Sequence, residues 1–370
     1  MLPRWLWIVL GLAALAPVLL ALATRWWVSL WRKRLRTPDG FDETFPLRTA
    51  DGAEIFLGRL HPASPTSALP PVVLCHGLSM NRRAFAFDSE KSLARALALR
   101  DRDVWVLELR GSDALAGTTS ARDATFDTYA REDIPAALRK VREVTGRAEV
   151  DWVGFSMGGM LAYAFLGALG GAGIRRLVTI GSPVRFEGVR VERVARQVSL
   201  LLLPFRRVTP VNFLLTLVAP LMGRWMPPWL GEGFRAEHYD DATLRRVMVT
   251  TMGDIPVGVA RQFLGWIADG RWDSVDGTVD YRAGLAKVTV PTCVIAGDRD
   301  RLARPLAVRT AYELLGAEER DCVEVGPGSG AHAHYDHLDL ILGARAHEEV
   351  FPHVYAWLDR EGVTPARSAG

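Results

Sequence analysis

Residues 154–159 read Gly-Phe-Ser-Met-Gly-Gly. Before them, Val150–Gly154 is an apolar run that reads as a buried strand. After them, Met157–Leu169 reads as a helix ended by Gly170-Gly171. A serine on a sharp strand-to-helix turn has its hydroxyl lifted above the strand ends, with small residues two before and two after it. That setting suits Ser156 to nucleophilic attack. The plainer reading of such a residue is a helix N-cap serine.

A serine hydroxyl is a weak nucleophile at neutral pH. It needs a base, and the base needs an acid to orient it. In this chain order the acid follows a later strand and the histidine comes last. After the apolar run Val290–Ala296 stands Gly-Asp-Arg-Asp-Arg-Leu, residues 297–302. Either aspartate could point at the site. The G-x-x-D spacing favours Asp300, with Asp298 as the alternative. Residues 328–339 offer His332, His334 and His337. His337 leads directly into the helical run Leu338–Leu342 and is the preferred base, with His334 second. His347 and His353 read as surface residues. Two backbone N–H groups are needed for a developing oxyanion. Met157 follows the nucleophile and supplies one. The loop His76-Gly77-Leu78-Ser79, after the apolar run Pro71–Cys75, supplies the other through Leu78. His76 reads as a structural loop histidine.

A rival pattern overlaps the histidine region. His332, His334, Asp336 and His337 match H-x-H-x-D-H, a spacing that can hold zinc. A closed ligand set needs further His and Asp ligands well downstream, and His347 and His353 lie on or beside an expected helix. The serine chemistry itself requires no metal or organic cofactor.

The elements that must position these groups alternate. A hairpin is expected from Thr44–Ala50 and Glu54–Leu60 across Asp51-Gly52. Strands are expected at 71–75, 103–109, 150–154, 176–180, 290–296 and 321–325. Helices are expected at 84–99, 128–146, 157–169, 304–315 and 348–358. Strands alternating with helices predict an α/β class: a mostly parallel sheet with helices on both faces. The alternation breaks once. Residues 184–286, rich in Leu, Phe, Trp and Met, separate two strands and read as a helical cap or lid inserted between late strands. Runs such as SLLLLPF (199–205) and VNFLLTLVAPLMGRWMPPWL (211–230) suit a small core, an acyl pocket or contact with lipid. The chain thus divides into 1–36 as a membrane anchor with its basic flank, 37–183 and 287–362 as core, and 184–286 as cap.

That segment carries the charge asymmetry. The chain is +3 overall, yet residues 1–36 hold six basic residues and no acid. The remaining 334 residues are −3, which leaves a general nucleic-acid surface unsupported. Trp5–Thr24 is a run of 20 uncharged residues flanked by tryptophans. As a helix it would span about 30 Å, one hydrocarbon thickness. It is read as a single-pass N-terminal transmembrane helix with the catalytic body on the cytoplasmic side, because five cations follow it and one precedes it. The alternative is a signal peptide cleaved after Ala21-Leu22-Ala23, with export. Three cysteines, Cys75, Cys293 and Cys322, are too few and scattered for a disulfide framework.

With these residues in view, the chain resembles the α/β-hydrolases over nearly all of residues 44–360. HGLS, GFSMGG, GDRD and YDHLD fall in family order. HGLSMN, DVWVLELRGS, TFDTYAREDIPAAL and YDHLDLILG, followed by EEVFPHVYAWL, resemble the acid lipase branch and polyhydroxyalkanoate-depolymerase-like hydrolases. Phe155 stands where GHSMGG has His, and Glu108-Leu109 where the acid lipases have Asn-Ser. The resemblance implies an α/β-hydrolase fold, with Ser156 as nucleophile, Asp300 as acid and His337 as base. It implies a lipase- or esterase-like enzyme acting on small-molecule or lipid-like esters. An acyltransferase with the same triad is the alternative, and a non-catalytic scaffold is a further rival, though the chain retains every triad residue. Similar polyester synthases use Cys at the nucleophile position, which Ser156 argues against.

Overall fold

The computed structural model describes residues 4–38, 40–87, 91–112, 121, 123–186, 207–223 and 233–360, with the backbone alone for 4–14 and Ala236. The run 199–205, Trp225, Trp229 and the side chains of Trp5 and Trp7 lie outside the described residues.

The chain opens with α1 (Arg4–Leu35) and the hairpin β1 (Glu43–Arg48) and β2 (Glu54–Leu60). There follow β3 (Val72–Cys75), α2 (Leu93–Ala98), β4 (Val104–Glu108), α3 (Ile134–Thr145), β5 (Val150–Phe155), α4 (Met157–Tyr163) and β6 (Ile174–Ile180). After the insertion come β7 (Thr292–Gly297), α8 (Pro305–Leu314), β8 (Arg320–Val325) and α9 (Phe351–Leu358). The insertion carries α5 (Val211–Val218), α6 (Asp241–Thr250) and α7 (Val257–Asp269). The eight strands form one sheet in the order β1-β2-β4-β3-β5-β6-β7-β8. β1–β2 and β2–β4 pair antiparallel, and the pairs from β4 to β8 are parallel.

Strands β3, β4 and β5 are buried at every position, as expected for parallel strands covered on both faces. Alternate residues feed two apolar layers. Val73, Trp105 and Trp152 pack with α3 and α4 on one face. Val72, Val106 and Val153 pack with α2 and α9 on the other. β5 lies mid-sheet, so its carboxyl end opens on the crevice where α/β sheets bind ligands.

Two helices differ from the sequence expectation. The stretch 84–99 is a 3₁₀ turn at Arg82–Phe85 and a separate α2, because Ser92 Oγ accepts from Arg95 N (3.3 Å) and starts a new helix there. The stretch 348–358 breaks at Val350 because Pro352, near the start of α9, has no N–H to continue the preceding turn.

The N-terminal run lies inside a longer helix. α1 passes through residue 24 and carries Arg25, Arg32, Lys33 and Arg34 within the same helix. Among the described residues no helix is long and apolar enough to cross a membrane. The far end of α1 packs on the insertion: Val28 is buried, and Trp27 Nε1 donates to Leu217 O on α5 (3.2 Å).

Candidate active site

Ser156 sits between β5 and α4 with φ at +51°, a left-handed conformation that costs a non-glycine residue of order 1–3 kcal/mol. The flanking glycines are a matter of space. A Cβ on Gly154 would lie 2.3 Å from Gly159 N, and one on Gly158 would lie 2.1 Å from Cys75 O. Only bare backbone lets α4 pass this close to β5 and β3, and that closeness throws the serine side chain outward.

Ser156 Oγ lies 2.9 Å from His337 Nε2, and His337 Nδ1 lies 2.7 Å from Asp300 Oδ2. A carboxylate acceptor at Nδ1 places the proton there and leaves Nε2 free to take the serine proton. Asp300 Oδ1 accepts from Leu302 N (2.9 Å) and Ala303 N (2.6 Å), so its orientation is fixed by its own loop. Burial pushes the Asp300 carboxyl up from its ordinary value, and the neighbouring imidazole opposes this.

The two aspartates and the histidines sort into separate pairs. Asp298 Oδ2 pairs with His334 Nδ1, and its Oδ1 accepts from Tyr335 N (2.9 Å). His332 pairs with Glu349 at 2.7 Å. Asp336 accepts from Arg301 Nε and, at 2.8 Å, from the His337 main-chain N–H. The H-x-H-x-D-H run is thereby dispersed over four different partners. Among the described residues no three His, Cys, Asp or Glu stand together as a metal cage.

Leu78 and Met157 flank the serine. Met157 follows it at the start of α4. Leu78 follows Gly77, where an added Cβ would stand 3.0 Å from Ser156 Cβ. His76 is buried; its Nε2 accepts from Leu109 N (3.3 Å), and its Nδ1 lies 2.9 Å from Gly77 O. Burial pushes the His76 imidazole down, which keeps it neutral and suits a loop fastener.

Sequence reasoning offered the insertion as an acyl pocket but did not name the residues that line it. A cavity of about 390 Å³ opens at Ser156 and His337, lined by Met80, Met160, Leu215, Met248, Phe263 and Ile267 among others. Its residues come from the core and from α5, α6 and α7. Phe155, the departure from the usual histidine, packs its ring 4.8 Å from the His337 imidazole. Sequence reasoning also passed over Asp339. Its Oδ2 accepts from Asp336 N (2.9 Å) and its Oδ1 from Arg235 N (3.2 Å), which joins the insertion to the histidine loop.

Burial pushes Asp339 up to about 8, against those two hydrogen bonds. In the unfolded chain an aspartate titrates near 3.8. The folded state therefore holds the extra proton. The stability this contributes is complete below about pH 4, declines as pH rises, and is gone above about pH 8. Asp339→Asn, which cannot ionise, is expected to flatten that decline. Thermal melts of both proteins between pH 5 and 8 check it, and parallel curves would refute the assignment.

Comparison with known proteins adds the following. A family model described as alpha/beta hydrolase fold matches residues 70–328. A probable lipase of Schizosaccharomyces pombe is 31% identical over 142 residues, 34% of this chain and 31% of that protein. The chain thus spans about a third of the length of that curated relative. Among solved structures, an esterase from Thermogutta terrifontis superposes with a TM-score of 0.56 at 17% identity, over 85% of this chain and 98% of that one. A membrane phospholipase A superposes with a TM-score of 0.53 at 17% identity, over 96% and 98%.

Proposed function

The chain belongs to the α/β-hydrolase fold family, and from that premise we propose that it is a serine hydrolase cleaving carboxylic esters with apolar acyl groups. The observation that carries this is the linear relay Ser156 Oγ, His337, Asp300, with contacts of 2.9 and 2.7 Å, at the mouth of an apolar cavity.

In this reading His337 Nε2 takes the Ser156 proton as Oγ attacks the ester carbonyl. The N–H groups of Leu78 and Met157 hold the oxyanion. Asp300 keeps the imidazole in its productive tautomer and stabilises the imidazolium. The tetrahedral species collapses, and His337 gives its proton to the departing alcohol. Water, deprotonated by the same nitrogen, then attacks the acyl-enzyme. The acid leaves and Ser156 regains its proton. An alcohol in place of water would make the product a new ester, the transferase outcome.

The cavity wall predicts the acyl preference. Each buried methylene is worth about 0.8 kcal/mol, or about fourfold in kcat/KM, until the cavity is full. A p-nitrophenyl ester series from acetate to dodecanoate is expected to climb at about this rate before levelling. A flat or falling series would remove the apolar acyl assignment. Product analysis of the same reactions, with and without added alcohol, separates hydrolysis from transfer.

We also place the chain at a membrane through its N-terminal run, with the body on the cytoplasmic side. Exposed Leu19, Leu20, Leu22 and Trp26 on α1, next to its cations, support this. The protein is expected to stay with membranes during alkaline carbonate extraction. Release into the supernatant would overturn the placement, and a mature N-terminus just after Ala23 would point to export.

A further inference from the structure

We infer that the inserted segment sets the oxyanion hole, through a strip of its backbone that holds Ser79 in a strained conformation and is itself fastened to the end of the N-terminal helix. This rests on the reading of Leu78 as an oxyanion donor.

Ser79 directly follows Leu78 and has φ at +57°. A serine does not adopt that conformation without support. The support comes from the inserted segment. Ser79 Oγ donates to Gly253 O (2.9 Å), and Gly253 N donates to Ser79 O (2.9 Å). Met80 and Met252 continue the contact as an antiparallel bridge. Asn81 closes it: its main-chain N–H donates to Thr251 O (3.0 Å) and its Nδ2 to Thr250 O (2.9 Å). The loop carrying the donor therefore runs as an extra edge beside residues 250–253. With both oxygens of Ser79 fixed by Gly253, the backbone at 77–79 has one orientation relative to Ser156.

The strip has its own anchors. Asn212 at the start of α5 donates Nδ2 to Val249 O (3.0 Å) and Met252 O (2.7 Å). Thr250 Oγ1 donates to Leu35 O (3.3 Å) and accepts from Thr37 N (3.2 Å), at the last turn of α1 and just beyond it. Asn81, Asn212 and Thr250 are all fully buried, so water cannot substitute for these bonds. A continuous path of hydrogen bonds thus joins the end of α1 to the residue next to the oxyanion donor. Ser79 is a positioning residue, and Thr250 is the strut behind it.

The test uses the full chain with Ser79→Ala and Thr250→Val. A misaligned oxyanion donor loses transition-state binding and leaves substrate binding alone. Ser79→Ala is expected to lower kcat by about 10–100-fold with KM within about twofold. Affinity for an acyl trifluoromethyl ketone, whose adduct with Ser156 places an oxyanion in the hole, should fall by the same factor. Affinity for the matching fatty alcohol, which makes no adduct, should not move. Thr250→Val should show the same split at several-fold size. If Ser79→Ala does not fold, Ser79→Gly loses the Oγ bond while relieving the strain, and the same loss of kcat is expected. Either Ser79 variant with wild-type kcat and ketone affinity would overturn the inference. So would equal losses of ketone and alcohol binding. Failure of wild-type protein to form the ketone adduct at Ser156 would instead defeat the underlying serine-hydrolase reading.

Discussion

Ser156→Ala is expected to abolish covalent labelling by a fluorophosphonate and to lower ester turnover by a factor on the order of 10⁴–10⁶. The variant removes one oxygen and keeps the left-handed backbone that Gly154 and Gly158 impose around residue 156. Its melting temperature should stay close to wild type, so lost activity will not be a folding artefact. His337→Ala should fall nearly as far, and combining the two should add little, because the pair acts as one unit. Equal labelling of Ser156→Ala and wild type would sink the mechanism.

The second large effect separates two neighbouring aspartates. Asp300→Asn preserves shape but presents an amide to His337 Nδ1. It then favours the tautomer whose proton sits on Nε2, facing Ser156. A loss of about 10³–10⁴ in kcat is expected. Asp298→Asn touches only the His334 and Tyr335 contacts and should cost less than about tenfold, with a small fall in stability. The ratio of the two losses is the measurement. Comparable losses would mean that the Asp298–His334 pair takes part in the chemistry and that the geometry around Asp300 has been misread.

Much of this was legible in the sequence, for reasons that differ by residue. The turn at Ser156 was visible because sterics leave few alternatives: the approach of α4 to β3 and β5 tolerates no Cβ at 154 or 158, and the glycines announce it. The strand order was not legible, since period-2 patterns mark strands but not their neighbours. The G-x-x-D spacing favoured Asp300 over Asp298, but did not reveal the bonds from Leu302 N and Ala303 N that turn its other oxygen to His337. The insertion showed only as a break in alternation rich in apolar residues. Its bonds to the loop after β3 were hidden, because main-chain contacts such as Gly253 to Ser79 leave no trace in side-chain type. The composition of the N-terminal run gave no sign that the end of α1 packs on the insertion at Trp27, Val28 and Thr250.

The distance along the chain between Ser156 and His337 has a consequence for synthesis. The two residues are 181 positions apart. At ribosomal speeds of 5–20 residues per second, about 10–35 s pass between them. During that interval the nascent chain can form its elbow between β5 and α4, but no base stands at the serine. Each new polypeptide therefore carries an unreactive hydroxyl throughout that interval. The order of the genetic message itself delays reactivity until nearly the whole catalytic body has been made.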